Sequence, residues 1–427
     1  MARIVISTFG STGDINPFLA AGLGLRARGH DVVFCVESGF QATAERLGFA
    51  TSPLTGDAIG VLARYGGSLY RRATPLASLR LLVERYIVPT LRPRIAELRA
   101  ACAGADALVT SPTQIAASFV HDLDQVPYVS VTLQPVTLPS AEMEPQPTPF
   151  PAPRALRGLA NRASWMVGGL AIRPMTDPPI NAIRADYGLP PRRNWMWDGN
   201  ISEKWAALAV SRAFIQPASD WPPQVRTIGF LFHDDDEHWA EPPALRELFE
   251  GGKPVVALSS GSMSAEIAEF AAFYREGIAG IHAVGARALV IGAPADALPA
   301  TGDPDTLALP FAPFSAIYPQ CAAVIHHGGS GTLAQALRSG VPMLVVPWGA
   351  DQFFNGAQIA RQGVGLWLRR SRFTADRVAG ALGQMLADPS FHRRARVCAG
   401  IIAGEDGVGS LCAMVESAAS GKVASGG

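Results

Sequence analysis

The chain has 427 residues, 48% hydrophobic and 17% charged, which excludes an intrinsically disordered protein and is too long for one ordinary core. Lysine plus arginine and aspartate plus glutamate number 36 each, so no global charge points to nucleic acid or an acidic partner. The five cysteines (Cys35, Cys102, Cys321, Cys398, Cys412) are scattered without CxxC spacing, which argues against a zinc site or a disulfide framework and fits a reducing cytoplasm.

The N-terminal run RIVIST (3–8) is β-branched and reads as a strand. Its apolar stretch is too short for an export signal, and no segment reaches the roughly 18 uninterrupted apolar residues of a membrane span. The turn FGSTGD follows, then a helix with Phe18, Leu19, Leu23 and Leu25 on its apolar face, Pro17 near its start and Gly29 at its stop. DVVFCV (31–36) is a second strand, and ADALVTSP (105–112) and PYVSVTL (127–133) read as later strands of the same parallel sheet. The arginine-rich segment 64–94 interleaves Leu, Ile and Tyr with a single acid, Glu84. It reads as a solvated amphipathic helix pair, with peripheral docking on an anionic membrane as the other use.

Periodicity dissolves over residues 134–200, which are rich in Pro and Arg. Trp165, Met166, Trp195 and Trp197 lie there, as core or as the lining of an apolar acceptor pocket. The proline-rich, acidic stretch 216–243 reads as a linker, its run Asp234–Glu237 being a solvated face. Strand, turn and helix then return with KPVVALSSGSM, ARALVIGA, AAVIHHGGSGT and VPMLVVPWGADQ. The fold expected is α/β, with two doubly wound Rossmann-like parallel-sheet domains facing across a cleft. The N-terminal domain spans 1–222, the linker 223–243 and the C-terminal domain 244–420, and the last residues form a flexible tail.

The segment His326–Thr332 follows an apolar strand and opens a helix that Gly340 and Pro342 terminate. A glycine turn at a helix N-terminus presents unpaired N–H groups and the positive end of the dipole, a seat for phosphate oxygens. The lysine of a P-loop is missing, which argues against triphosphate hydrolysis. Adjacent residues on a strand point to opposite faces. His326 and His327 therefore do not share a metal ion: one faces the ligand, and the other packs or is solvated. At the end of the next strand Asp351 and Gln352 form an acid–amide pair able to bind vicinal sugar hydroxyls or to cap a helix.

HHGGSGTLAQALRSGVPMLVVPWGADQ (326–352) resembles the signature segment of family 1 glycosyltransferases of the GT-B fold, which use nucleotide-diphosphate sugars. The resemblance implies that His326 contacts the donor diphosphate, with Gly328, Gly329, Ser330, Gly331 and Thr332 cradling phosphate oxygens and Ser260, Gly261 and Ser262 nearby. It also implies that Phe311, Ala312 and Pro313 border the base, and that Asp351, Gln352 and Trp348 meet the sugar. The chain departs from the plant-type form of the segment, carrying Gly329 and Ser330 where that form has tryptophan and asparagine. It is closer to bacterial rhamnolipid-type rhamnosyltransferases, sterol glucosyltransferases and natural-product glycosyltransferases.

GSTGDINP (10–17) matches the N-domain turn of those branches, with Gly10, Ser11, Thr12 and Gly13 leading to Asp14 as general base. Asp14 and Asn16 can equally cap the following helix, and the two roles are compatible. The expectation is an inverting, metal-independent transferase with no cofactor. A dTDP- or UDP-sugar is its co-substrate, and a hydrophobic hydroxylated small molecule or lipid is its acceptor. It would be cytoplasmic, with peripheral membrane contact in reach and no nucleic-acid partner. A sugar-nucleotide epimerase or a non-catalytic accessory protein of the same fold are the alternatives.

Overall fold

The computed structural model describes residues 1–427 apart from 62–63, 65–74, 145–151, 198, 235–238, 262–269, 295–296, 299–302 and 422–427. The described residues form two units, each around its own parallel sheet.

In the first unit β1 (Arg3–Ser7), β2 (Asp31–Val36), β3 (Ala50–Pro53), β4 (Ala107–Thr110), β5 (Tyr128–Thr132), β6 (Ala206–Leu208) and β7 (Val225–Thr227) align in the order β3-β2-β1-β4-β5-β6-β7. The central strands are apolar because helices cover both faces of the sheet. On one face α1 (Thr12–Ala27) buries Ile15, Phe18, Leu19 and Leu25. α2 (Ser38–Arg46) follows β2, and a long helical run combines α3 (Pro75–Leu82), a π-turn at Val83–Ile87 and α4 (Val88–Ala101). With α5 (Ala116–Asp124), α4 places Leu91, Ile95, Leu98, Phe119 and Val120 on the other face.

The irregular reading of 134–200 is corrected by α6 (Arg157–Asp186), a 30-residue helix running through Pro174, Pro178 and Pro179. Proline removes a helical hydrogen bond, and here packing outweighs that cost, with Ile180 and Ile183 in the core beside Trp195. Trp195 stacks on Phe119 and Trp165 meets Trp197 edge to face, which places Trp165 and Trp195 in the packed interior, while Met166 is exposed. Residues 75–94 of that arginine-rich segment belong to the helical run, where Arg80 pairs with Glu84 at the surface and Arg94 pairs with Glu37 in the interior.

The second unit begins at Asp234. α7 (Pro243–Glu250) leads into β8 (Val255–Ser259), α8 (Phe270–Ala283), β9 (Arg287–Ile291), β10 (Thr306–Leu309) and α9 (Phe314–Ile317). After these come β11 (Ala323–His326), α10 (Ser330–Ser339), β12 (Met343–Val345), α11 (Gln352–Gln362), β13 (Gly365–Trp367), α12 (Ala375–Ala387) and α13 (Pro389–Ala403). The sheet order is β10-β9-β8-β11-β12-β13.

Two expected boundaries shift. Residues 225–227, placed in the linker from sequence, are β7 of the first sheet. The last helix, α14 (Gly407–Ala419), expected with the second domain, belongs to the first unit. Its Leu411, Cys412 and Val415 enter the first core, and Glu416 accepts a hydrogen bond from Arg28 and pairs with His30. His30 thus serves as the tie between the end of α1 and α14. By composition residues 389–419 are long and apolar enough to cross a membrane, but α13 and α14 separate there and Asp406 caps α14 by accepting from Gly409 N–H. Asp234, the described member of the acidic run, accepts from Arg338 and Gln335 of α10.

Candidate functional site

Both sheets reverse direction beside their first strand, between β1 and β4 in one and between β8 and β11 in the other. Such switch points are where open parallel sheets bind ligands, beyond the strand C-termini. The turn after β1 opens at the first switch point, and the turns after β8 and β11 open at the second.

β11 ends at His326, level with Ser259 of β8 and Val345 of β12. His326 is 0% exposed. Its Nδ1 accepts from Gly328 N–H (3.1 Å) and its Nε2 lies 3.4 Å from the sulfur of Met343. The accepting Nδ1 assigns the ring proton to Nε2. Burial, with a smaller contribution from His327, pushes its pKa down to about 3, so the ring is neutral. His326 is therefore a strut of the turn, and the expected contact between it and a diphosphate is corrected.

His327 takes the outward role. A Cβ added at Gly261 or at Gly329 would come within 2.4 Å of its ring, so both turns carry glycine where the imidazole passes between them. It is partly buried, and its Nδ1 has no partner. Burial lowers its pKa to about 4, so it too is neutral at pH 7.

Gly329 is the N-cap of α10, with Ser330, Gly331 and Thr332 at its first three positions and no acidic residue in the first turn. The amides and the helix dipole there carry partial positive charge, and the helix brings no acidic residue of its own to its first turn. Ser330 Oγ donates to Asp351 Oδ2 (2.8 Å), which joins this turn to the end of β12. Asp351 and Gln352 are 7% and 8% exposed. Gln352 Oε1 accepts from Trp348 and Gly349 N–H (2.7 and 3.1 Å). The Trp348 indole packs on Phe270 at 4.0 Å between ring centroids, with Arg370 over it. It serves the core, which corrects its expected place against a sugar.

Ser260 is buried, its N–H donating to Tyr274 Oη (3.1 Å) and its Oγ hydrogen-bonded to the same hydroxyl. Its side chain is internal, unlike the expectation, and Ser262 lies outside the described residues. Beyond β10 the Phe311 ring is 57% exposed while Ala312 and Pro313 are buried, so Phe311 offers a flat aromatic face at the same edge of the sheet.

The turn after β1 is built differently. Gly10 has φ +130°, and a Cβ there would meet the Asp14 carboxylate at 2.4 Å. Ser11 is the N-cap of α1, with Thr12 and Gly13 following and Asp14 at the third position. Asp14 Oδ2 accepts from Ser11 N–H (2.8 Å) and Ser11 Oγ (2.9 Å). Burial raises its pKa and those two hydrogen bonds partly offset the rise.

Two family models match the chain. Residues 4–142 match the glycosyltransferase family 28 N-terminal domain and residues 282–405 the C-terminal domain of erythromycin biosynthesis protein CIII-like proteins. The chain is 29% identical to O-mycaminosyltylonolide 6-deoxyallosyltransferase of Streptomyces fradiae, covering 97% of each. It is 25% identical to sterol 3-beta-glucosyltransferase of Neosartorya fischeri over 86% of this chain and 26% of that protein. The structure of spinosyn rhamnosyltransferase complexed with thymidine diphosphate superposes with a TM-score of 0.69 at 18% identity, covering 97% of this chain and 100% of that one. The chain is a glycosyltransferase of the GT-B fold.

Sequence reading missed two further features of this glycosyltransferase. Asn355, on α11 one turn after Asp351, is 1% exposed, and its Nδ2 donates to Gly328 O and to Asp351 Oδ2 (2.8 Å each). It ties the glycine turn to the acid–amide pair, and its spacing of four from Asp351 on a helix was the available signal. Ala350 holds φ +49°, a left-handed conformation costly for any residue but glycine. The Gln352 brace on the two preceding amides keeps that turn in place.

Proposed function

We propose that this glycosyltransferase moves a hexose or deoxyhexose, such as rhamnose or glucose, from a dTDP- or UDP-sugar to a hydroxyl of a hydrophobic small molecule or lipid. Transfer inverts the anomeric carbon and requires no metal ion or other cofactor. The observation that carries the reading is the turn between β11 and α10: free amides at a helix N-terminus, no acid of its own, and the His327 ring lodged between two glycine turns with an unpartnered nitrogen. That arrangement suits a diphosphate. The thymidine diphosphate bound by the spinosyn enzyme supports a dTDP donor, and the sterol acceptor of the fungal relative supports a hydrophobic one.

In this reading the second unit holds the donor. Gly328 to Thr332 and His327 meet the diphosphate, Phe311 covers the base beside Ala312 and Pro313, and Gln352 turns its amide N–H groups, with Asp351, to the sugar hydroxyls. His326 positions the turn. The first unit serves the acceptor through Asp14, which takes the hydroxyl proton as oxygen attacks opposite the leaving diphosphate. A carboxylate whose pKa burial raises is a stronger base than one in water. The charge released on the leaving group falls on fixed amide dipoles, which need no reorganisation.

Thermal shift with dTDP, UDP, GDP and ADP tests the donor site, because a ligand of the folded state raises the midpoint. Selective stabilisation by dTDP or UDP is expected, weakened about ten- to hundredfold in apparent affinity by His327→Ala, the cost of one hydrogen bond to a charged group. His326→Ala should instead lower the midpoint of the free protein. Stabilisation by none of the four would remove the donor reading and favour an accessory role.

A further inference from the structure

Ten large hydrophobic side chains are exposed among the described residues, and five of them, Leu156, Leu159, Met166, Val167 and Leu170, fall within fifteen positions at the start of α6. At 3.6 residues per turn Leu159, Met166 and Leu170 lie along one line, and they are 67%, 62% and 59% exposed. The opposite face anchors the helix. Asn161, Ser164, Trp165 and Gly169 are buried there, Asn161 Nδ2 donating to Ala141 O and Trp165 Nε1 to Met143 O. A surface helix ordinarily turns its apolar stripe inward. Up to Leu170, α6 docks through small, polar and aromatic side chains and leaves its aliphatic ones to water.

The charge around that stripe says what it meets. From Ala152 to Thr176 the chain carries four arginines, Arg154, Arg157, Arg162 and Arg173, and no acid. Arg173 pairs with Asp177 (3.5 Å). Arg154, Arg157 and Arg162 are exposed and form no close ion pair among the described residues, Arg162 alone lying within the field of a carboxylate, that of Asp220. A second copy of the same face would bring arginine against arginine. A negatively charged lipid surface offers both an apolar layer and a complementary charge.

We propose that the face of α6 bearing Leu159, Met166 and Leu170 rests in the headgroup region of an anionic membrane, with Arg154, Arg157 and Arg162 on lipid phosphates. The surface would hold this glycosyltransferase where hydrophobic acceptors concentrate. The docking itself stands on the helix alone and does not depend on the donor reading.

Vesicle flotation with the full-length protein tests it, using phosphatidylcholine alone and phosphatidylcholine mixed with phosphatidylglycerol. Binding to the anionic vesicles, weakened by salt, is expected. It should fall about tenfold or more in the triple variant Leu159→Ser, Met166→Ser, Leu170→Ser and, separately, in Arg154→Ser, Arg157→Ser, Arg162→Ser. Unchanged melting and unchanged nucleotide-induced stabilisation would show each variant folded. Equal partition of the wild type to the two kinds of vesicle, or undiminished binding by the leucine–methionine variant, overturns the proposal. So does a wild-type dimer that the same variant dissolves, seen by light scattering without vesicle binding, which would assign the face to a second copy.

Discussion

The turn after β1 and the turn after β11 occupy the same place in their sheets, and each opens a helix at a switch point. Their first four helix-start residues run Ser11, Thr12, Gly13, Asp14 in one and Gly329, Ser330, Gly331, Thr332 in the other. The first turn closes on an acid of its own, which takes hydrogen bonds from Ser11. The second has threonine at that position, and the carboxylate at its start, Asp351, is supplied by the turn after β12. One difference, aspartate against threonine at the third helical residue, separates a turn that carries its own acid from a turn that carries none. In the proposed reaction the first turn would supply a base to the acceptor and the second an anion seat to the donor, two uses of one motif.

The largest effect should come from the first turn. Asp14→Asn keeps the size of the side chain and removes its basicity, and transfer should fall about a hundred- to ten-thousandfold, the range of general-base catalysis. Nucleotide-induced stabilisation should survive, because the turn after β11 is untouched. The cap weakens as well, by about 1 kcal/mol, which a melting curve of the free variant measures. Transfer that persists near the wild-type rate would leave Asp14 as a cap alone.

A smaller and more pointed change makes the second turn like the first. Thr332→Asp places a carboxylate at the third position of α10, where it can fold back on Gly329 as Asp14 does on Ser11. The loss of dTDP- or UDP-induced stabilisation should exceed about tenfold in apparent affinity, since the added charge both occupies the amides and repels a diphosphate. Calorimetric titration of the folded variant reads it directly. Undiminished affinity would mean that the nucleotide's charge sits elsewhere.

What the sequence showed of this contrast follows from how local each feature is. The glycine spacing after β11, the helix that follows, and the parallel-sheet alternation are set by neighbours along the chain, and both sheets were readable from them. The choice between His326 and His327 was not. Alternation says that the two point apart, but only the pairing of β11 with β8 and β12 decides which one enters the layer beside Met343. α6 was hidden for a related reason. Three prolines and several glycines weaken its local signal, and it stands on contacts made by Asn161, Trp165, Ile180 and Ile183 with distant segments. α14 has the composition of any buried helix, and nothing within it names the sheet it covers.

The smallest effect separates the turns by pH. His326 titrates near pH 6.5 in an unfolded chain and near 3 when folded. The unfolded state therefore binds more protons as pH falls below about 6.5, and the stability supplied by the neutral ring is lost from there toward the folded value. Asp14 has the opposite sign, because burial raises its pKa and the folded state takes up the proton first as pH falls. His326→Gln isolates the histidine, since Gln can accept from Gly328 N–H and does not titrate. Between pH 6.5 and 5 the wild type should lose about 1–2 kcal/mol more than this variant, at most 1.4 kcal/mol per pH unit for one group. Urea melts at the two pH values measure the difference. Parallel losses would mean that His326 gains a proton as readily folded as unfolded, which an imidazole sealed between Gly328 and Met343 cannot do.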